Sequence, residues 1–361
     1  MATQNMRALA VGGAAALVVV LSGIGCSAST RPGLAPNATV LCRSTQPDSS
    51  VVLWSRPAAQ RDKEHLRSWC AGVGPLLFRT PVSGDLRDTA PIDDLLVVSW
   101  NVHVGTADID RFITDLRAGR LSDGQRPGHI ILLLQEAVRS RDVPPSMPAG
   151  ASAARAIASN ESIDRNDIER LSSAQHMSVL YAPSMRDGGS PGSGRRPADR
   201  GNAILSTLPL SDPVAIELPG ERQRRVAIAA SIQLDAADTR TRFSIVVAHL
   251  DALRGPRALW IIGTAAARDK QADALTHALP DGPAIMGADL NSWTGTREPV
   301  LRGLFRLFPS TPSGPRQATV REGLVLDYLF FRLPPNWRAH VKRAPERYGS
   351  DHYPLVGSLS F

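Results

Sequence analysis

The feature that most constrains this chain is a series of short apolar runs, most of which close on a polar residue. The runs are Leu95–Trp100, Ile130–Leu134, Ser178–Tyr181, Ala203–Ser206, Val226–Leu234, Phe243–Ala248, Ala284–Gly287 and Val325–Phe331. They are too short for ordinary helices and do not alternate apolar with polar, so they read as strands covered on both faces. Helical periodicity falls between them at Ile109–Arg117, Asn166–Ala174, Ala258–Leu279 and Pro299–Leu304. Strands interleaved with helices make an α/β fold. Hydrophobic residues are 43 % of the 361 and charged residues 21 %, a globular balance that excludes disorder and a multi-span membrane protein. No solenoid-length repeat recurs.

The polar residues at the ends of these runs carry the chemistry. Asn101 follows the first, Gln135-Glu136 the second, His249-Leu250-Asp251 the sixth, and Asp289-Leu290-Asn291 the seventh. Asp327-Tyr328 lies inside the last run, and Ser350-Asp351-His352 stands near the C-terminus. One such ending is commonly structural, but several on one edge of a sheet place their side chains in a shared crevice. Glu136, Asp289, Asp351, Asn101 and Asn291 offer hard oxygen donors suited to Mg²⁺ or Mn²⁺. With three Cys residues in the chain, a four-Cys zinc site is excluded. Two His residues, each with an acid nearby, suit proton transfer and stabilisation of a charged phosphoryl group. There is no Gly-x-Ser-x-Gly elbow, phosphate-binding Walker loop or dinucleotide fingerprint. These residues point to metal-assisted phosphoester hydrolysis.

Seven segments, in order, make the chain resemble the endonuclease/exonuclease/phosphatase superfamily. They are Ser99-Trp100-Asn101-Val102, Leu134-Gln135-Glu136, Arg200-Gly201-Asn202-Ala203-Ile204-Leu205-Ser206, Ala248-His249-Leu250-Asp251, Gly287-Ala288-Asp289-Leu290-Asn291, Leu326-Asp327-Tyr328 and Gly349-Ser350-Asp351-His352-Tyr353-Pro354. The resemblance implies a four-layer α/β sandwich, two mixed sheets packed face to face with helices outside, over residues 95–361. It implies that Glu136 is the principal ligand of a Mg²⁺ ion, Mn²⁺ being an alternative, with Asn101 and Asp351 completing or supporting the site. Asp289 would orient or deprotonate the attacking water, Asn291 hold a phosphate oxygen and His249 stabilise developing charge. His352 would be general base or transition-state stabiliser, with Asp327 fixing its tautomer. His103 departs from the Asp that several relatives carry there. Arg268 and Gln271, three apart, resemble the family's helix after the His motif, but the pair reads better as an ordinary solvated face.

The N-terminus reads as an address. Arg7 precedes an apolar stretch, Ala8 to Gly25, that suits a signal peptide or anchor over residues 1–25. Leu21–Cys26 resembles a lipoprotein box, with Gly23 where Leu is preferred, so Cys26 is the expected lipidation point of an exported, membrane-anchored or secreted protein. A tether (26–38) and an extension (39–94) follow. Cys42 and Cys70 form an even pair, the expected disulfide of an exported chain.

The substrate is less constrained. A net charge of +7 suits a phosphate backbone, although only Lys63, Lys270 and Lys342 among the 41 basic residues are Lys, a bias that a GC-rich genome alone produces. Arg139, Arg141, Arg155, Arg186, Arg195, Arg196 and Arg200 fall in two segments that read as loops, Arg139–Asn160 and Pro183–Arg200. They favour nucleic acid, and would equally suit lipid head groups. The leading expectation is a monomeric, exported phosphodiesterase of nuclease type. A phospholipid, sphingomyelin or inositol-phosphate esterase comes second, and a catalytically silent binding lipoprotein third.

Overall fold

Alternate residues of each apolar run face opposite ways, and both sides find apolar partners. The computed structural model describes residues 53–55, 60–80, 90–91, 93, 95–144, 166–187, 197–220, 223–236, 239–252, 265–313 and 316–360. Strands β1 (Leu53–Ser55), β3 (Ala90–Pro91), β8 (Ser211–Leu218), β9 (Arg225–Ala236), β10 (Thr239–His249), β11 (Ala284–Asp289) and β12 (Asp327–Arg332) form one mixed sheet. Its order is β1-β8-β9-β10-β11-β12, with β3 beside β9. The second sheet runs β13-β14-β4-β5-β7-β6-β2. It comprises β2 (Leu77–Arg79), β4 (Leu95–Asn101), β5 (His129–Arg139), β6 (Ser178–Asp187), β7 (Ala198–Ser206), β13 (Arg338–Arg343) and β14 (Leu355–Ser360).

The inner core lies between the sheets. Val97, Ile131, Leu133 and Ile204 of one sheet meet Ile228, Ile245, Val247 and Ile285 of the other. The outer face of the second sheet, through Val98, Leu132 and Leu205, packs on α2 (Ile109–Arg117) and α3 (Ile168–Ala174). The outer face of the first, through Val246, Ala248 and Met286, packs on α4 (Ala265–Ala278) and α5 (Pro299–Leu307). This is the α/β sandwich that the motifs imply, and it explains why the runs carry no polar alternation. The sheets approach closely at Gly287, where a Cβ would stand 2.8 Å from both Leu133 Cβ and Ser99 Oγ. A side chain there would push the sheets apart beside the site.

Several boundaries differ from the sequence expectation. The segment Pro183–Arg200 is strand at both ends, because β6 continues to Asp187 and β7 begins at Ala198. Likewise β5 runs on through Arg139. Strands β8, β13 and β14 carry mixed polar residues and give no continuous apolar signal. Helix α3 begins two residues after Asn166 because Asp167 caps it, accepting from Glu169 N and Arg170 N at 3.0 and 3.1 Å. Residues of the 39–94 segment join both sheets: β1 pairs with β8 and β3 with β9, while β2 pairs with β6. A further helix, α1 (Gln60–Ala71), precedes β2. The apolar run Ala8 to Gly25, Cys26 and Cys42, and with Cys42 the pairing to Cys70, lie outside the described residues. Among the described residues no helix is long and apolar enough to cross a membrane.

Candidate active site

Strand directions bring the polar endings to one edge. The parallel pairing of β4 with β5 stops at Asn101 opposite Gln135, and β5 runs on beyond it. Parallel β10 and β11 end together, with His249 opposite Asp289. Antiparallel β12 starts where β11 stops, which sets Asp327 opposite Asp289. Across the gap between the sheets, Asn101 Nδ2 donates to Asp289 Oδ2 at 2.9 Å.

Around Asp289 the structure gathers most of the expected residues. His249 Nε2 lies 3.5 Å and His352 Nε2 4.0 Å from Asp289 Oδ2. His352 Nδ1 is hydrogen-bonded to Asp327 Oδ2 at 2.7 Å, so the carboxylate holds the ring's orientation. Trp100 Nε1 donates to the His352 carbonyl at 3.1 Å, and His352 N donates to Ser350 Oγ at 3.0 Å, which fix the backbone beneath the ring. Asn291, at positive φ, donates its backbone N–H to Asp289 Oδ1 at 3.0 Å, and its amide Nδ2 donates to Leu250 O at 3.2 Å.

The electrostatics separate the two imidazoles. Burial lowers the His249 pKa well below the ordinary value, and the Arg225 and Arg200 guanidiniums add to that, so His249 is neutral. Burial also disfavours charge on His352, but the Asp327 carboxylate outweighs it and raises the pKa to about 10. Asp289 is pushed up to about 7 by burial and by the charge of Asp327. A carboxyl poised near neutrality beside a charged imidazole can accept a proton from water while the imidazolium donates to an oxyanion. Of the two roles open to His352, this ionisation favours transition-state stabiliser.

Glu136, Asp351 and His103 form a second group. Glu136 has φ +57 at an irregularity in the β5–β7 pairing between Leu134 and Ala137. A bulge of this kind turns a side chain that the regular pleat would bury. Glu136 Oε2 stands 3.5 Å from Arg200 Nη1. Asp351 Oδ1 is 2.8 Å from His103 Nδ1, both side chains about half exposed. Burial acts to raise the Asp351 pKa, but the His103 hydrogen bond and the His352 charge leave it lowered. His103 lies in the field of both Asp351 and Glu136. The partly buried Glu136 carboxylate, the half-exposed Asp351 carboxylate and the Asn101 amide are an all-oxygen set that fits a divalent cation such as Mg²⁺. Among the described residues, Asp289, Asp327 and His352 also bring three ligand-type atoms within 4.8 Å of one another. There the Nδ1–Oδ2 hydrogen bond already occupies His352 and Asp327.

Arg225 and Asp251 join the site without having been assigned a role from sequence. Arg225 Nε is 3.5 Å from Asp251 Oδ1, and Arg225 shares a small recess with Glu136, Arg200, Asn202 and His249. Arg268 and Gln271 do not form a solvated face. Both are fully buried. Gln271 Oε1 accepts from Asp251 N at 2.9 Å, and Arg268 grips Glu298 through Nε and Nη2, each at 2.9 Å. Helix α4 thus holds the turn that follows His249. Two of the loop arginines are also drawn inward, Arg139 pairing with Asp199 at 2.7 Å and Arg186 donating to Pro144 O at 2.7 Å, whereas Arg141 stays exposed. Arg155, Arg195 and Arg196 lie outside the described residues.

Residues 98–352 match the family model described as the Endonuclease/Exonuclease/phosphatase family. The chain belongs to that family. Its members are phosphoester hydrolases that depend on divalent metal. Solved structures similar to this chain include the catalytic domain of human nocturnin with a bound sulfate anion (18 % identity, TM-score 0.48, covering 79 % of this chain and 97 % of that one). Others are a humanized D. rerio TDP2 (15 %, TM-score 0.44, 74 % and 99 %) and sphingomyelinase C from Streptomyces griseocarneus (16 %, TM-score 0.41, 73 % and 98 %). A comparison with curated proteins finds no match.

Proposed function

We propose that this chain is a divalent-metal-dependent phosphodiesterase that cleaves nucleic acid outside the cytoplasm, by attack of an activated water on phosphorus. The observation that carries the reading is Asp289 set between neutral His249 at 3.5 Å and charged His352 at 4.0 Å. Asp289 accepts the proton of the attacking water, and Asn101 and the Asn291 backbone N–H hold its two oxygens in place. His352, oriented by Asp327, donates to the phosphoryl oxygens as negative charge develops, and His249 supplies a second N–H. Glu136, Asp351 and Asn101 are the residues that would hold Mg²⁺, which supplies Lewis-acid polarisation of the phosphoryl group. The net charge of +7 and the Arg200 and Arg225 guanidiniums in the recess beside His249 support a polyanionic substrate. Export and anchoring at Cys26 rest on the apolar run Ala8 to Gly25 and the lipoprotein-box pattern.

The test is nicking of supercoiled plasmid with Mg²⁺ or EDTA, beside His352→Ala, with sphingomyelin and inositol phosphates as parallel substrates. Cleavage of plasmid that needs both Mg²⁺ and His352 and is suppressed by salt supports the reading. Hydrolysis of the lipid or inositol substrates with no plasmid cleavage overturns the nucleic-acid assignment and leaves metal-dependent phosphoester chemistry standing.

A further inference from the structure

The oxygen donors assigned to the divalent ion have a nitrogen among them. His103 touches two of the three directly. Its Nδ1 lies 2.8 Å from Asp351 Oδ1, and its backbone N–H donates to Asn101 Oδ1 at 3.0 Å. The third, Glu136, is near enough for its charge to act on the ring. The imidazole therefore stands where the oxygen set converges. It is about half exposed, whereas His249 and His352 are buried.

The backbone holds the ring there. His103 and Val104 both have positive φ, +47 and +54. His tolerates that region, but a β-branched residue such as Val enters it only under constraint. The constraint is a closed turn: Thr106 N and Oγ1 donate to His103 O at 3.1 and 2.9 Å, and Ala107 N donates to Val102 O at 3.3 Å. The 2.8 Å between Nδ1 and Oδ1 is also close to the roughly 3 Å that separates adjacent ligand atoms on an octahedral ion with bonds of about 2.1 Å. A shared proton spans that gap, and a cation that accepts nitrogen can take its place.

We propose that His103 is a nitrogen ligand of the divalent-ion site, so that the site prefers a first-row transition ion such as Mn²⁺ over Mg²⁺. Mg²⁺ is held by oxygen and gains little from an imidazole. Mn²⁺ accepts carboxylate, carbonyl oxygen and water as Mg²⁺ does, and stands on the series of ions whose affinity for nitrogen donors is appreciable. One imidazole added to an otherwise hard oxygen set tips the balance toward it. The inference rests on the proposed reading of Glu136, Asp351 and Asn101 as the residues that hold the ion.

The experiment follows Mn²⁺ binding to the full chain by electron paramagnetic resonance, with Mg²⁺ as competitor, in wild type, His103→Asn and Glu136→Gln. Asn adopts positive φ readily and offers an amide oxygen in place of the ring nitrogen. Circular dichroism confirms that each variant is folded. Pulsed spectra of bound Mn²⁺ show whether a ¹⁴N nucleus is coordinated, without reference to turnover. Wild type is expected to show ¹⁴N coupling that His103→Asn lacks. That variant should bind Mn²⁺ about 10–100-fold more weakly, the loss that follows even from removing a group that only orients a ligand, while its Mg²⁺ affinity changes little. Bound Mn²⁺ without nitrogen coupling in wild type, coupling that survives in His103→Asn, or a Mn²⁺ affinity unchanged or raised in that variant overturns the proposal and leaves the oxygen site standing. Glu136→Gln should weaken the same Mn²⁺ site. Full affinity in that variant, or wild type that binds neither ion, overturns the oxygen site and this proposal with it.

Discussion

Asp199 and Asp327 are both carboxylates buried in strands of the sandwich, and they are satisfied in opposite ways. Both oxygens of Asp199 are engaged: Tyr181 Oη donates to Oδ1 at 2.7 Å, and Gly74 N and Arg139 Nη2 donate to Oδ2 at 2.8 and 2.7 Å. Arg139 also donates to Pro75 O at 2.6 Å, so the cluster binds the segment before β2 to β5, β6 and β7. Asp327 has one oxygen on His352 and one without a partner, and its charge helps push Asp289 up to about 7. The closed network holds chain segments together. The open one keeps groups whose protons can move, which is the condition of a reactive site.

The comparison breaks first at the open network. His352→Ala and Asp289→Ala should each lower turnover about 10²–10⁴-fold, the usual worth of a positioned proton-transfer group, with the melting temperature little changed. Near wild-type turnover in either folded variant would remove these residues from the reaction. The closed network should answer the other way. Asp199→Ala leaves Arg139 buried and unpaired and should cost about 3–5 kcal/mol of stability, read by denaturant unfolding. Turnover of the fraction that remains folded should hold, and a loss matching that of His352→Ala would mean that the cluster is not purely structural.

Gln271 lies between the two kinds. It touches no reacting group but holds Asp251 N, two residues beyond His249. Gln271→Ala should cost about 1–3 kcal/mol for the unmatched buried N–H and lower kcat more than it raises KM, because the His249 turn loosens. Gln271→Glu keeps the acceptor for Asp251 N but loses the Nε2 donor to Pro219 O at 2.9 Å, so it should recover part of kcat at a further cost in stability; kcat equally low in both variants argues for general destabilisation. The smallest effect is expected at Asp167, which caps α3 and also accepts from Ser140 N and Ser140 Oγ at 2.8 and 2.7 Å. Burial acts to raise its pKa, but the Ser140 contacts and the helix N–H groups outweigh it and leave the pKa lowered. The stabilisation is therefore complete above the ordinary Asp value of about 3.9 and is lost as pH falls through the lower folded value. Asp167→Ala should cost about 1 kcal/mol at neutral pH, and the difference from wild type should shrink on acidification below about pH 4. A difference independent of pH would assign the effect to packing.

Much of the site was legible because its signals are local. Asn101, Glu136, His249 and Asp289 each stand at or near the end of an apolar run, and Ile109–Arg117 is helical as its periodicity requires. Strands β13 and β14 were not legible, since their mixed polar composition leaves pairing with β4 to define them. The backbone turn that presents Glu136 was also hidden, because a bulge is set by the register of two strands and not by the residue itself.

The order of strands and helices, the both-face burial of the central strands and the polar residues at their ends were determined by the sequence alone, because each is a pattern of neighbours along the chain. Which charges go inside was decided only by the tertiary structure. Arg139 finds Asp199 sixty residues away and Arg268 finds Glu298 thirty away. Neither guanidinium could leave water without that partner, and no local pattern reports where the partner will be. The same holds for the proton affinity of Asp289, which burial and the charge of Asp327 push up to about 7; both are set by where the fold places that residue.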